Sequence, residues 1–261
     1  QYRPGTDSPR ELTPDMDEYV QLIAKIYRFA SKYGLKLELS LLSPLEIGPA
    51  YEKATGEYGR WLHYRKGLRD PKTGAFSVQL WQQKRWVNNK GPIDIKPEKI
   101  RVFAFREDHV GGTPYHMVKP ESMVEISGSV KSEVYEGLQT GVARRIRVFG
   151  AGRTDVGDLN RVLVVQCYKC PEMDYFSESA LPYLKGLIDK YIDAGVKLSA
   201  FYSDEMHIQQ DWGYFNHHDH GQFALRYVSP GLEKIFAEKY GEQYSDLAKY
   251  MVYFTYGQED F

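Results

Sequence analysis

Residues 161–203 read RVLVVQCYKCPEMDYFSESALPYLKGLIDKYIDAGVKLSAFYS, and their alternation of patterns decides the fold class. The run RVLVVQCY (161–168) is short, β-branched and apolar throughout, as in a strand buried on both faces. A helix is expected near 177–194. Pro182 fits only its first turn, which favours Ser179 over Ser177 as the N-cap. Gly195 ends that helix, and VKLSAFYS (196–203) forms the next strand. Strand, helix, strand is the wiring of a parallel sheet, in which ligands sit beyond the carboxyl ends of the strands.

The same alternation opens the chain. Tyr19, Leu22, Ile23, Ile26, Tyr27 and Ala30 recur at three- and four-residue spacing behind Thr13-Pro14-Asp15, which predicts a helix over 15–33 closed by Gly34. LKLELSLL (35–42) then alternates in period two, as a strand does. Between about 48 and 158 the pattern changes: FSVQLWQ (76–82), IRVFAFR (100–106), SMVEIS (122–127) and RRIRVF (144–149) are short β segments joined by Gly-, Pro- and Asn-rich connections. Helices are expected again from Pro230 to Lys239, with Gly241 just beyond, and over 245–255. The expected fold is α/β, a partial (β/α)8 TIM-like barrel interrupted by a β-rich, sandwich-like insertion. Its divisions would be 1–47 for the first barrel elements, 48–158 for the insertion and 159–261 for the barrel continuation with its strand-end loops.

Composition narrows the function. The 261 residues carry 34 Lys+Arg against 35 Asp+Glu, a formal net charge of -1. Nucleic-acid and polybasic membrane surfaces need a cationic excess, so neither partner is expected. No apolar run approaches the ~18 residues of a spanning helix. Aromatic residues make up 14%, with 21 Tyr and 4 Trp; rings with a polar tip suit a surface that stacks on hydroxylated ligands, although packing uses them too. Two cysteines cannot build a disulfide framework or a four-Cys zinc site. The chain starts at Gln1 with no charged segment before an apolar one, so no targeting signal is legible.

The richest strand end is FYSDEMHIQQDWGYFNHHDHGQ (201–222), which holds four of the seven histidines. Within it Glu205 is the expected proton donor: a carboxyl just past a buried strand loses solvent, which raises its pKa toward neutrality. Asp204 is its neighbour, and capping or pairing with an arginine is the structural alternative for both. Trp212, Tyr214 and Phe215 offer a stacking platform, while His207, Asn216 and His217 can hydrogen-bond hydroxyls. His217, His218, Asp219 and His220 carry metal-binding groups, but lack the HExxH spacing that puts two imidazoles on one helical face. At the preceding strand end, Glu172 and Asp174 are expected to bind substrate or serve as a second carboxylate, with capping and turn formation as the alternative. Cys167-x-x-Cys170 invites a redox reading, yet Pro171 and further residues separate it from a helix whose dipole would activate a thiol. Glu46, after the first strand, is a third lining carboxylate by position.

Taken in order, Asp174-Tyr175-Phe176-Ser177-Glu178-Ser179-Ala180 before a helix, Tyr202-Ser203-Asp204-Glu205 ending a strand, and Phe236 to Gly241 on a later helix resemble bacterial (β/α)-barrel glycoside hydrolases of the α-L-rhamnosidase-like type. The resemblance runs across 35–241 on short motifs. It implies Glu205 as proton donor, Asp204 as its orienting neighbour and Asp174 as a substrate or structural contact. The chain departs from that pattern in having Met206-His207 where such enzymes commonly have Pro. Only three parallel strands are legible where a closed barrel needs eight, so this is expected to be the N-terminal part of a longer enzyme, or to draw its remaining elements from elsewhere.

The function expected is hydrolysis of glycosidic bonds in a complex oligo- or polysaccharide by a secreted or periplasmic bacterial enzyme. No organic cofactor is implied; a calcium ion among the carboxylates stays open, without support from their spacing. Two rival expectations stand beside it: a non-catalytic glycan-binding protein using the same side chains, and a metal-dependent hydrolase using the His217–His220 loop.

Overall fold

The computed structural model describes residues 12–40, 44–83, 85–88, 91–94, 96–135, 143–150, 156–170, 172–202, 209–210 and 225–255. The chain opens with helix α1 (Asp17–Ser31), whose Val20, Ile23 and Ala24 face the core and whose first turn carries Asp17 and Glu18 at the positive end of the helix dipole. Gly34, at φ 70°, reverses the chain into strand β1 (Leu37–Leu39), and α2 (Pro44–Thr55) follows.

A β-rich module comes next. It comprises β2 (Gly59–Leu68), β3 (Phe76–Gln83), β4 (Arg85–Asn88), β5 (Gly91–Asp94), β6 (Lys96–Phe105), β7 (Asp108–His109), β8 (His116–Met117), β9 (Val124–Glu125), β10 (Val130–Tyr135), β11 (Ala143–Gly150) and β12 (Arg161–Cys170). Helix α3 (Ala180–Asp193) leads to β13 (Leu198–Phe201), and β14 (Gln209–Gln210), β15 (Leu225–Tyr227) and α4 (Pro230–Tyr240) close the series before a 3-10 segment at Ala248–Phe254.

Strands β1 and β13 pair in parallel, with Leu37 opposite Leu198 and Leu39 opposite Phe201. The whole module therefore lies in the connection between two neighbouring parallel strands, and that connection leaves at the carboxyl end of β1. Val20, Ile23, Ala24, Ile47, Tyr51, Leu187, Tyr191 and Val196 pack the helices together around this pair.

The expectation for 161–168 needs correction. This strand is buried on both faces, but it runs antiparallel to both neighbours, β2 and β6, in a sheet ordered β14-β15-β2-β12-β6-β9. Val162 and Val164 pack with Phe76, Val78, Leu80, Ile146 and Val148 of the second sheet, β10-β11-β3. Leu163 and Val165 point the other way, into Val228 and the 247–252 segment. An apolar run signals cover on two sides, and here a second sheet and C-terminal helical turns supply what helices supply in a parallel sheet. The boundary at 158/159 is accordingly misplaced: the module extends to Cys170, and residues 225–254 pack on it rather than on the parallel pair. Among the described residues parallel pairing is confined to β1 and β13, and no closed barrel is seen. The helix expected over 245–255 is the 3-10 segment. Among the same residues no helix is long and apolar enough to cross a membrane.

Two glycines test this packing in opposite directions. A Cβ on Gly67 of β2 would sit 2.3 Å from Val78 Cγ2 in the opposing sheet, whereas one on Gly186 of α3 meets nothing within 4 Å. Gly67→Ala is expected to destabilise the fold by about 1–3 kcal/mol. Gly186→Ala should instead stabilise it by about 0.5–1 kcal/mol through helix propensity. Denaturant midpoints at unchanged slope would check both.

Candidate functional site

The parallel pair stays together at its carboxyl end, where the Tyr202 amide donates to the Leu39 carbonyl at 3.0 Å. Asp204 and Glu205 follow after Ser203 in sequence. Asp204, Glu205, His207, Trp212, Tyr214, Phe215, Asn216, His217, His218, Asp219 and His220 all lie outside the described residues. Glu46 falls in the first turn of α2, with its side chain outside the described set.

The structure brings the other two predicted carboxylates together at the neck, where the module joins α3. Neither is placed as a free substrate contact. Glu172 is 1% exposed. Its Oε2 accepts from the Trp61 indole N–H at 3.0 Å, and its carbonyl accepts from the Gly59 amide at 2.6 Å. Gly59 and Trp61 begin the module's first long strand, while Glu172 follows its last. One residue thus ties departure to return. Burial pushes the Glu172 carboxyl up to about 8, against the opposing pull of Trp61 and the nearby Tyr175 hydroxyl. It is an enclosed, largely protonated acid at neutral pH.

Asp174 is 3% exposed and serves as a cap. Its Oδ1 accepts from the Ser229 hydroxyl and, at 3.2 Å, from the Phe176 amide; its Oδ2 accepts from the Gly231 amide at 2.8 Å. Ser229 in turn accepts from the Leu232 amide at 3.0 Å, so the first turn of α4 is held by both residues. A Cβ on Gly231 would lie 2.7 Å from Asp174 Oδ1, which is why glycine occupies that turn. Tyr227 of β15 completes the neck: its hydroxyl donates to the Met173 carbonyl at 2.7 Å. The capping reading of Asp174 is the one its bonds support.

Cys167 and Cys170 are buried free thiols. Burial pushes Cys167 up to about 11 and Cys170 well above the ordinary thiol range. Inert thiols of this kind fit packing and not redox exchange.

Beside the neck opens a cleft of about 570 Å³, lined among others by Glu57, Tyr58, Ser177, Glu178, Lys234 and Glu238, and touched by Asp174. Glu57 is the residue missed in the sequence. Partial burial pushes its pKa up, but the hydroxyls of Ser177, Tyr51 and Ser179 outweigh that and hold it below the usual carboxylate range. The Ser179 hydroxyl donates to Glu57 Oε1 at 3.2 Å, so this serine, placed correctly before α3, makes no side-chain cap to that helix. Glu178 reaches Lys234 at 3.5 Å. The cleft wall thus carries carboxylates and serine hydroxyls beside apolar surface from residues such as Phe176 and Ile235. Nothing in the local sequence marks Glu57, because its serine partners arrive only when the module folds back.

No protein-family model matches the chain, and no significant match emerges among curated proteins or solved structures.

The neck carries a pH signature. The Glu172 pKa is raised from 4.5 to about 8 on folding, so between those values the folded state holds a proton that the unfolded state has lost. The contribution of Glu172 to stability falls as pH rises through that window and levels off above it. Glu172→Gln stays neutral throughout. Its stability relative to wild type should climb from pH 5 to pH 8, by an amount on the order of a few kcal/mol, and then stop changing. Denaturation midpoints measured at each pH would show this; parallel curves would mean that Glu172 is ionised in the fold.

Proposed function

We propose that the protein is a glycoside hydrolase acting on an oligo- or polysaccharide outside the cytoplasm, built on a partial (β/α) barrel whose β→α connection carries the β-rich module. The observation that supports this reading is the parallel pairing of β1 with β13. Segments carrying Glu46 and Asp204-Glu205 leave the carboxyl ends of adjacent strands, where parallel α/β sheets gather their ligands. The module departs from that same end.

In this reading Glu205 gives its proton to the departing glycosidic oxygen, and Asp204 orients it. A second carboxylate lies ~5–5.5 Å away for retention of anomeric configuration, or ~6.5–9.5 Å for inversion. Trp212 and Tyr214 stack on the sugar face, while His207, Asn216 and His217 bind its hydroxyls. Glu172 and Asp174 act one step removed: they hold the neck and the first turn of α4, and so set where the module stands over the strand ends.

Glu205→Gln on a panel of aryl glycosides and plant or host polysaccharides tests the proposal. Turnover should drop by roughly 10²–10⁴ while binding persists, and the loss should shrink on substrates whose leaving group needs no proton. Full activity in the variant would remove Glu205 from the mechanism. Binding without turnover in the wild type would make the protein a glycan-binding module, and loss of activity to a chelator would favour the His217–His220 loop.

A further inference from the structure

The hairpin β7–β8 stands apart from both large sheets and pairs only with itself among the described residues. Each of its strands is two residues long, and an isolated two-stranded hairpin is marginal in water. Its connection is nevertheless tightly bonded. The Val110 amide donates to the Tyr115 carbonyl at 2.9 Å, and Gly112 takes the left-handed conformation at φ 77°. The Thr113 hydroxyl donates to the Val110 carbonyl at 2.8 Å and accepts from the Tyr115 amide at 3.1 Å. This loop presents His109 directly opposite His116 across the ladder.

Both histidines are exposed, so packing does not call for imidazole at either position. Their ring centroids are 5.3 Å apart. A metal ion held about 2 Å from one nitrogen of each ring would place the centroids about 5 Å apart at a tetrahedral angle and about 4.5 Å apart at a right angle. Imidazole is a ligand for zinc, copper and nickel, and a poor one for calcium or magnesium. We propose that His109 and His116 form a surface site for one borderline divalent transition-metal ion, Zn²⁺, Ni²⁺ or Cu²⁺, which clips the two strands of the hairpin. Water completes the coordination sphere. Asp108 is engaged with Arg106 at 2.6 Å, and no group of three or more ligand side chains gathers among the described residues.

The site is independent of the glycosidase reading, and its test needs no substrate. Calorimetric titration of the whole chain with Ni²⁺ or Zn²⁺ should count one equivalent fewer in His109→Ala, and likewise in His116→Ala, than in wild type, whatever the 207–220 histidines bind. Hydrogen exchange of the Val110 amide should slow when metal is added to wild type and stay unchanged in either variant. Equal stoichiometry in all three proteins, loss in only one variant, or exchange at Val110 that ignores the metal would each overturn the proposal.

Discussion

The antiparallel ladder between β2 and β12 is the constraint on which the rest depends. Its register places Gly59 opposite Cys170, so the module starts and finishes at one point. An excursion whose ends coincide can be inserted between adjacent parallel strands without forcing them apart, and β1 and β13 remain hydrogen-bonded neighbours across it. Loop-closure entropy grows only slowly with length, so a long insertion of this kind is thermodynamically tolerable once its own core is formed. That core is formed on both faces of the six-stranded sheet, by the second sheet on one side and by 228–252 on the other.

Where two cores meet, the protein places polar groups and then satisfies them. Trp61, Tyr168, Cys170 and Tyr227 form the apolar part of the joint, and Glu172 and Asp174 form the polar part. The two acids are bonded differently because their surroundings differ. Asp174 accepts from the Gly231 amide at the start of α4, from the nearby Phe176 amide and from the Ser229 hydroxyl. Glu172 has the Trp61 indole N–H and the nearby Tyr175 hydroxyl, and burial outweighs both and holds its proton on. These bonds tie the start and the end of the module to each other and to α4, so acids that look catalytic in the sequence serve as fasteners in the fold.

The sequence was most legible where local chemistry is self-sufficient. The three- and four-residue spacing of Tyr19, Ile23, Ile26 and Tyr27 marks α1, Gly195 ends the α3 turn region, and Pro230 opens α4. It was least legible where meaning depends on a distant partner. Glu172 and Asp174 read as site residues because acidic groups after a strand usually face a mouth; only the return of Gly59, Trp61 and Ser229 from elsewhere in the chain encloses them. Glu57 passed unnoticed for the converse reason, since its three hydroxyl partners lie in α2 and in the segment before α3.

What the residues determined alone is that helices lie near 15–33, 177–194 and 230–239, that strands lie near 76–82, 100–106 and 144–149, and that the strand at 161–168 is covered on both sides; α2 and β2 were not read from the sequence. Those properties follow from side-chain period and apolarity, which act over a few residues. Strand direction was decided only by the tertiary structure, because an apolar run buries equally well in a parallel or an antiparallel sheet once both faces are covered. The same holds for the carboxylates: an acid's place in the sequence shows that a charge must be accommodated, and the partners brought to it by the fold settle whether it is ionised, protonated or free to act.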